Sequence, residues 1–290
     1  MIKRALILIT LLCTMNAFLY ACDILAGNTP DGTGDSGQST ETPDGSTTEV
    51  APEEKPKEDV EDIETKFTFR LLDNGTYSVR GKDKYSFADG KVVIPDTYSG
   101  KPVTVIETSA FGFYGNITEV VMPDSITSIE SVAFSGCTAL TTIRFSSNIT
   151  EIPTGCFADC NALEAVTLPD GLTKLCHSAF INCYHLTTVE IPETVSVIED
   201  YVFLGCSDLK NVVIPDGVTG IGINCFYGCS SLREITIPES VKGIGQKAFY
   251  LCSHLETIYY SGSEEQWNKI YLDDGNEDLA SASIQYNSKN

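Results

Sequence analysis

Two pairs of cysteines stand four residues apart in this chain, Cys156 and Cys160 in CFADC and Cys225 and Cys229 in CFYGC. A C-x3-C pair can hold a metal, close a disulfide or carry redox chemistry. It can also be packing that uses sulfur. Structural zinc takes four Cys or His ligands, and no histidine falls within either pair. The three histidines, His177, His185 and His254, have no evident acid or nucleophile partner. No G-x-S-x-G, H-E-x-x-H or phosphate-binding glycine loop occurs. Nothing here points to an enzyme, a bound metal or a cofactor.

The elements that must position these cysteines come from a repeat. Phe stands at 111, 134, 157, 180, 203, 226 and 249, every 23 residues. Three residues after six of them come Cys137, Cys160, Cys183, Cys206, Cys229 and Cys252, with Tyr114 in the first unit. Leu or Ile follows six after each Phe, and Val or Ile nine after. An aliphatic-Pro step comes next, as in Ile237-Pro238, and then two further apolar rows, one with Ile126 and Ile149 and one with Ile129 and Ile152. One such unit cannot close a core, but stacked units can. Leu232, Ile235 and Ile237 have the L-x-x-L-x-L spacing of a leucine-rich repeat strand. Pro238 ends that strand because it cannot donate to a ladder. The chain is therefore a repeat solenoid with parallel strands about 4.8 Å apart. Cys137 and its five counterparts form an inward row, where a small polarizable side chain stacks on the next coil. The weak S–H donor can serve buried loop carbonyls. Cys156 and Cys225 occupy a row otherwise filled by Ala110, Ala133, Ala179, Val202 and Ala248. On this reading the C-x3-C pairs are two core rows that both happen to be cysteine. Cys176 shares a row with Glu107, Glu130 and Glu199, and is expected to be the most exposed and reactive thiol.

The stretch IPDGVTGIGINCFYGCSSLREITIP resembles the BspA-like leucine-rich repeat family of bacterial surface proteins. The resemblance covers about residues 92 to 272, from VVIPDTYSGKPVTVIETSAF to YYSGSEEQWNKI. Ser146 in RFSSNIT departs from the family pattern by replacing the proline, and Tyr114 by replacing the first cysteine. The resemblance implies a right-handed coil with its parallel sheet on the concave face. It also implies adhesion to host matrix proteins or to other bacteria.

The amino terminus has a separate logic. MIKR precedes the apolar run ALILITLLCTMNAF, the pattern of an export signal and too short for a membrane span. Leu19, Tyr20, Ala21 and Cys22 resemble a bacterial lipobox, which implies cleavage before Cys22 and its acylation. Residues 1–21 are thus expected to be a lipoprotein signal peptide. Residues 22–64 are expected to be a disordered acidic tether, rich in Gly, Ser, Thr, Pro, Glu and Asp and without an aromatic residue. Its roughly 40 residues would span about 35 Å as a flexible coil. Of the net charge of −21, the signal holds two positive charges and residues 23–66 hold −10, so residues 67–290 carry −13. Such acidity excludes nucleic acid as a partner and leaves the lipid as the only membrane contact. Export exposes thiols to oxidation. Without Cys13, and with Cys22 acylated, nine thiols remain, an odd number in a regular ladder, so free buried thiols are expected.

Residues 65–102 are expected to form an N-terminal β cap, with FTFRLLDNGTYSVRG as a hairpin around Asp73-Asn74-Gly75. Residues 103–258 hold about seven coils of 23 residues. Residues 259–290 are the C-terminal cap and tail, with SEEQWNKI as a short helix whose Trp267 packs on the last coil. From Asp273 the tail is expected to fray. Outward strand positions form two columns. One contains Glu119, Thr142, Ala165, Thr188, Asn211, Glu234 and Thr257; the other contains Val121, Arg144, Thr167, Glu190, Val213, Thr236 and Tyr259. This small, β-branched, mildly acidic surface is the candidate binding face for a protein ligand, such as a host extracellular-matrix or bacterial surface protein. Two alternatives stay open: ordinary solvent-facing strands in an accessory envelope lipoprotein, and a glycan-binding lipoprotein. A third row, Asp124, Ser147, Asp170, Glu193, Asp216 and Glu239, suits exposed turns after proline.

Overall fold

The computed structural model describes residues 60–288. The expected signal peptide, Cys22 and the expected tether up to residue 59 lie outside the described residues. Within the described chain each 23-residue unit closes one coil. Nine long strands run side by side: Lys91–Val93, Glu119–Val121, Thr142–Arg144, Ala165–Thr167, Thr188–Glu190, Asn211–Val213, Glu234–Ile237, Thr257–Tyr260 and Ser283–Gln285. They pair in parallel and in register in three groups: Lys91–Val93 through Thr142–Arg144, Ala165–Thr167 with Thr188–Glu190, and Asn211–Val213 through Ser283–Gln285. Glu119 lies opposite Thr142, Ala165 opposite Thr188, and Asn211, Glu234 and Thr257 are aligned. Each strand turns its middle residue inward and its flanks outward, for example buried Val212 between exposed Asn211 and Val213. A second parallel ladder occupies another side of the coil. Its two-residue strands include Glu151–Ile152, Lys174–Leu175 and Val197–Ile198, and Gly220–Ile221 with Gly243–Ile244. The sequence showed this side only as an apolar row, because a two-residue strand is too short to display alternation.

The seven phenylalanines are fully buried and stack face to face along the coil axis. Ring centroids lie between 5.2 and 5.8 Å apart, with planes within 17° of parallel. A third hydrogen-bond ladder runs beside the stack. Each N–H donates to the carbonyl 22 residues on, as from Phe111 to Ala133 (2.8 Å) and from Phe226 to Ala248 (2.8 Å). Two positions per coil make this turn by adopting left-handed backbone. Two residues after each Phe stand Phe113, Gly136, Asp159, Asn182, Gly205, Gly228 and Leu251, all with positive φ. Two residues before it stand Ser109, Val132, Gly155, Ser178, Tyr201, Asn224 and Lys247, also positive. Gly, Asn and Asp predominate at the first of these, as left-handed geometry favours. Val132, at φ 54°, has no such compatibility.

The array is longer than the seven coils read from the phenylalanine phase. It gains a strand at each end, because Lys91 pairs with Glu119 across 28 residues and Thr257 with Ser283 across 26. At the start, Phe67–Leu71 and Tyr77–Gly81 form an antiparallel hairpin whose second strand joins Lys101–Ile106 in parallel. Here the phenylalanine stack changes to edge-to-face contacts: Phe87 lies 5.3 Å from Phe67 and 5.8 Å from Phe111. A helix, Val60–Lys66, takes in the last residues assigned to the tether.

At the other end the expected frayed tail is ordered. Tyr271–Leu272 extends the short-strand ladder, and Ser283–Gln285 extends the long one. Asn276 explains this order. Its side-chain oxygen accepts from the Phe249 N–H (3.0 Å), and its amide donates to the carbonyls of Gly245 and Asp273. One buried amide thus takes the place of the next coil at Phe249, while the Lys247 N–H still donates to a backbone carbonyl, that of Asp274 (2.9 Å). The helix Glu264–Trp267 is shorter than the expected SEEQWNKI element and has a Ser263–Gln266 capping box. Trp267 sits edge-on to Tyr260 at 5.1 Å.

Candidate binding face

The residues that could do chemistry resolve first. All nine cysteines among the described residues are free and buried. Cys137, Cys160, Cys183, Cys206, Cys229 and Cys252 each donate S–H to the carbonyl of the Phe 26 residues earlier, at 3.1 to 3.3 Å. That Phe carbonyl also accepts from the backbone N–H three residues on, as in Cys137 N–H to Phe134. Sulfur thus fills the second lone pair of a buried carbonyl. Burial pushes the Cys137 and Cys252 thiols up to about 12, from an ordinary 9.0. Cys176 is more exposed than the other eight yet only 8 % accessible, so it is buried and not in an open row. Its thiol is pushed up to about 11, again by burial. Such thiols hold their protons at neutral pH and are poor nucleophiles and metal ligands.

In the first coil Tyr114 replaces cysteine, and its hydroxyl reaches the Gly81 carbonyl of the hairpin (3.3 Å). Ser146 is buried where proline is usual, and its hydroxyl donates to the Ile126 carbonyl at 2.6 Å. Among the described residues no three His, Cys, Asp or Glu side chains converge on a possible metal position. His185 does have an acid partner, Asp208 at 2.9 Å, which the sequence did not reveal because it sits one coil away. The pair is exposed. His177 packs against Tyr201 and His254 contacts the Ser230 carbonyl.

The fourteen residues of the two candidate columns lie on the long strands. The strand registers align Glu119 with Thr142, Thr188 with Ala165, and Asn211 with Glu234. They also align Val121 with Arg144, Thr167 with Glu190, and Val213 with Thr236 and Tyr259. Thr142, Arg144, Thr167, Thr188, Glu190, Asn211, Val213 and Glu234 are exposed; Glu119, Val121, Thr236 and Tyr259 are half-buried. The columns continue beyond these fourteen to Lys91 and Val93 at one end and to Ser283 and Gln285 at the other. Their altered spacing hid them from a 23-residue search. Lys91 pairs with Glu119 at 3.0 Å. Neither Arg144 nor Glu190 belongs to an ion pair among the described residues.

The row after the prolines behaves as turn chemistry. Asp124 accepts from both the backbone N–H and the hydroxyl of Ser147, each at 3.0 Å. Those two donors hold its carboxyl below the usual range. The Asp170 carbonyl accepts from Thr194 in the next coil.

Fold and face together define a leucine-rich repeat solenoid that presents an open parallel sheet. The BspA type leucine-rich repeat region matches in six copies over residues 83–210 and 173–287, and the chain belongs to that family. Membership suggests a protein-interaction or adhesion module, and such repeat arrays are typically not enzymes. Among solved structures, a leucine-rich repeat protein from T. pallidum is similar, with 23 % identity and a TM-score of 0.61. That likeness covers 77 % of this chain and 97 % of the other, and shows the shared fold. A leucine-rich repeat protein from Bacteroides ovatus is 23 % identical over 77 % of this chain and 70 % of its own, with a TM-score of 0.47. A leucine rich cell surface protein from Faecalibacterium prausnitzii is 20 % identical over 71 % and 96 %, with a TM-score of 0.25. A comparison with curated proteins gave no match.

Proposed function

We propose that this chain is an exported, lipid-anchored protein-binding module of a bacterial envelope, which engages its ligand through the long-strand columns. The observation that carries this reading is the open ladder itself. Nine aligned strands present small, β-branched and mildly acidic side chains, with Arg144 and Glu190 exposed and outside any described ion pair. Shape and register come from the buried rows, so the outward residues are free to specify a partner. Family membership favours adhesion as the purpose of that contact.

The chain from residue 23 onward is tested by biolayer interferometry against fibronectin, fibrinogen and an extract of bacterial surface protein. Saturable binding to one of them is expected. Flat traces from a folded sample would favour an accessory envelope protein, and a hit confined to a glycan array would favour a sugar ligand. Anchoring is tested by detergent-phase partition of the full precursor expressed in a bacterium. The Cys22→Ala variant moves to the aqueous phase if the lipid is real; unchanged partition rules the anchor out.

A further inference from the structure

We propose that the turns leading into the central long strands form a binding site for a neutral sugar. The exposed ring of Tyr184 covers one face of the sugar, and Asp159, Asn161, Asn182 and His185 bond its hydroxyls. The site is separate from the strand columns and does not depend on what they bind. The repeat itself marks the place. Four residues after the phenylalanine, five of the seven coils carry Gly115, Thr138, Ser207, Ser230 or Ser253, whereas the two between them carry Asn161 and Tyr184. Five coils close on a small residue there, so the coil does not require a phenol. Tyr184 is 43 % exposed. Its backbone is nonetheless fixed, because its carbonyl accepts from the Ser207 hydroxyl and the Asp208 N–H of the next coil, both at 3.1 Å. A tyrosine ring held this way offers a broad amphipathic face that loses little entropy on contact.

Planar hydrogen-bonding groups surround the ring. Asn182 Nδ2 donates to Asp159 Oδ1 at 2.9 Å, which sets an amide and a carboxylate side by side on neighbouring coils. That bond leaves the Asn182 side-chain oxygen and the second Asp159 oxygen as open acceptors. Gly205 keeps the Asn182 oxygen uncovered, since a Cβ at Gly205 would stand 2.7 Å from it. Asn161 sits one coil before Tyr184 in the same row and is half-buried. Its side-chain oxygen has no hydrogen-bond partner among the described residues. A buried acceptor without a donor is uncommon, and the coil alone does not account for it. On the far side of Tyr184, His185 Nδ1 is held by Asp208 Oδ2 at 2.9 Å, which leaves Nε2 open. Burial first, and then the charge of Asp159, push the Tyr184 phenol above its ordinary value, so ring and carboxylate share one patch.

The balance of these groups selects the ligand. Acceptors outnumber donors, so the ligand must bring several O–H donors on neighbouring carbons. The exposed ring asks in addition for a flat C–H face. A neutral pyranose has both. An acidic sugar does not fit, because Asp159 and Asp208 repel its carboxylate. A metal ion does not fit either, because no three His, Cys, Asp or Glu side chains converge among the described residues. The patch is open and takes one ring, so its dissociation constant should be on the order of millimolar.

The test is saturation-transfer-difference NMR with calorimetric titration of residues 23–290. The probes are the methyl glycosides of glucose, galactose, mannose, N-acetylglucosamine and N-acetylgalactosamine, with N-acetylneuraminic acid as the anionic control. Saturable binding of at least one neutral glycoside is expected. Tyr184→Ala should weaken it about tenfold, whereas Tyr184→Phe, which keeps the ring, should retain most of it. Asn161→Ala should weaken it severalfold without lowering the melting temperature. The Arg144→Glu, Glu190→Lys variant of the strand columns should bind the glycoside as the wild type does. If Tyr184→Ala proves unstable, Asn161→Ala decides by the same criterion. Flat titrations with every neutral glycoside, or binding of the anionic control alone, would overturn the proposal. So would full binding by Tyr184→Ala at equal stability, or loss of binding in the column variant.

Discussion

At the scale of single residues, the cysteine row works through its proton. Each S–H completes a Phe carbonyl that would otherwise keep a buried lone pair empty. Cys206→Ala removes the donor and leaves a small void, and should cost about 1–3 kcal/mol in urea unfolding. Cys206→Ser, which keeps a donor, should cost less; equal losses would show that only volume matters. The same protons set an alkaline limit. Folded thiols titrate near 12 at Cys137 and Cys252, whereas unfolded ones titrate near 9.0. Their stabilising effect is complete below pH 9 and is lost as pH rises toward 12. Each thiol that is ionised only in the unfolded chain lowers stability by about 1.4 kcal/mol per pH unit. The urea midpoint should be flat from pH 7 to 9 and fall beyond; a flat profile to pH 10.5 would contradict this. The packing role of sulfur was legible from the sequence for eight of the nine, because the 23-residue phase placed the six Cys after Phe, and Cys156 and Cys225, in inward rows. The buried state of Cys176 was not, since its row holds glutamates elsewhere.

At the scale of the elements, one coil is a long strand, a proline turn, a short strand and a double left-handed turn around Phe. Val132 occupies one of those left-handed positions, where β-branching is disfavoured. Asn224 holds the equivalent place in the penultimate coil of the phenylalanine series. Val132→Asn should therefore stabilise the chain by about 1 kcal/mol. A lower melting temperature would mean that the packing of the Val132 side chain outweighs the strain. Asn276→Ala should strip the partners from the Phe249 N–H and two carbonyls, costing about 1–3 kcal/mol. Hydrogen exchange should then rise at Lys247 and Phe249, and unchanged exchange would refute its role as terminal clamp. The long strands were legible as L-x-x-L-x-L spacing. The short strands and the terminal coils were not, the first for lack of length and the second because their 26- and 28-residue offsets break the phase.

At the scale of the whole molecule, a solenoid separates stability from recognition. Stacked Phe, Cys and Leu rows fix the coils, and on the proposed function the outward columns of the long strands meet the partner. The charge of these coils is one-sided, so added salt should raise the melting temperature by screening self-repulsion. The face was legible as a pattern of alternating positions, but its chemistry names no ligand, because strand residues that suit water also suit many proteins. The proposed function puts recognition on those columns. The measurement that tests it most directly compares wild type with the Arg144→Glu, Glu190→Lys double variant for ligand binding, with thermal unfolding of both as control. We expect at least about tenfold weaker binding with an unchanged melting temperature. Equal binding by the two, at equal stability, would contradict the account and move the contact to another side of the coil.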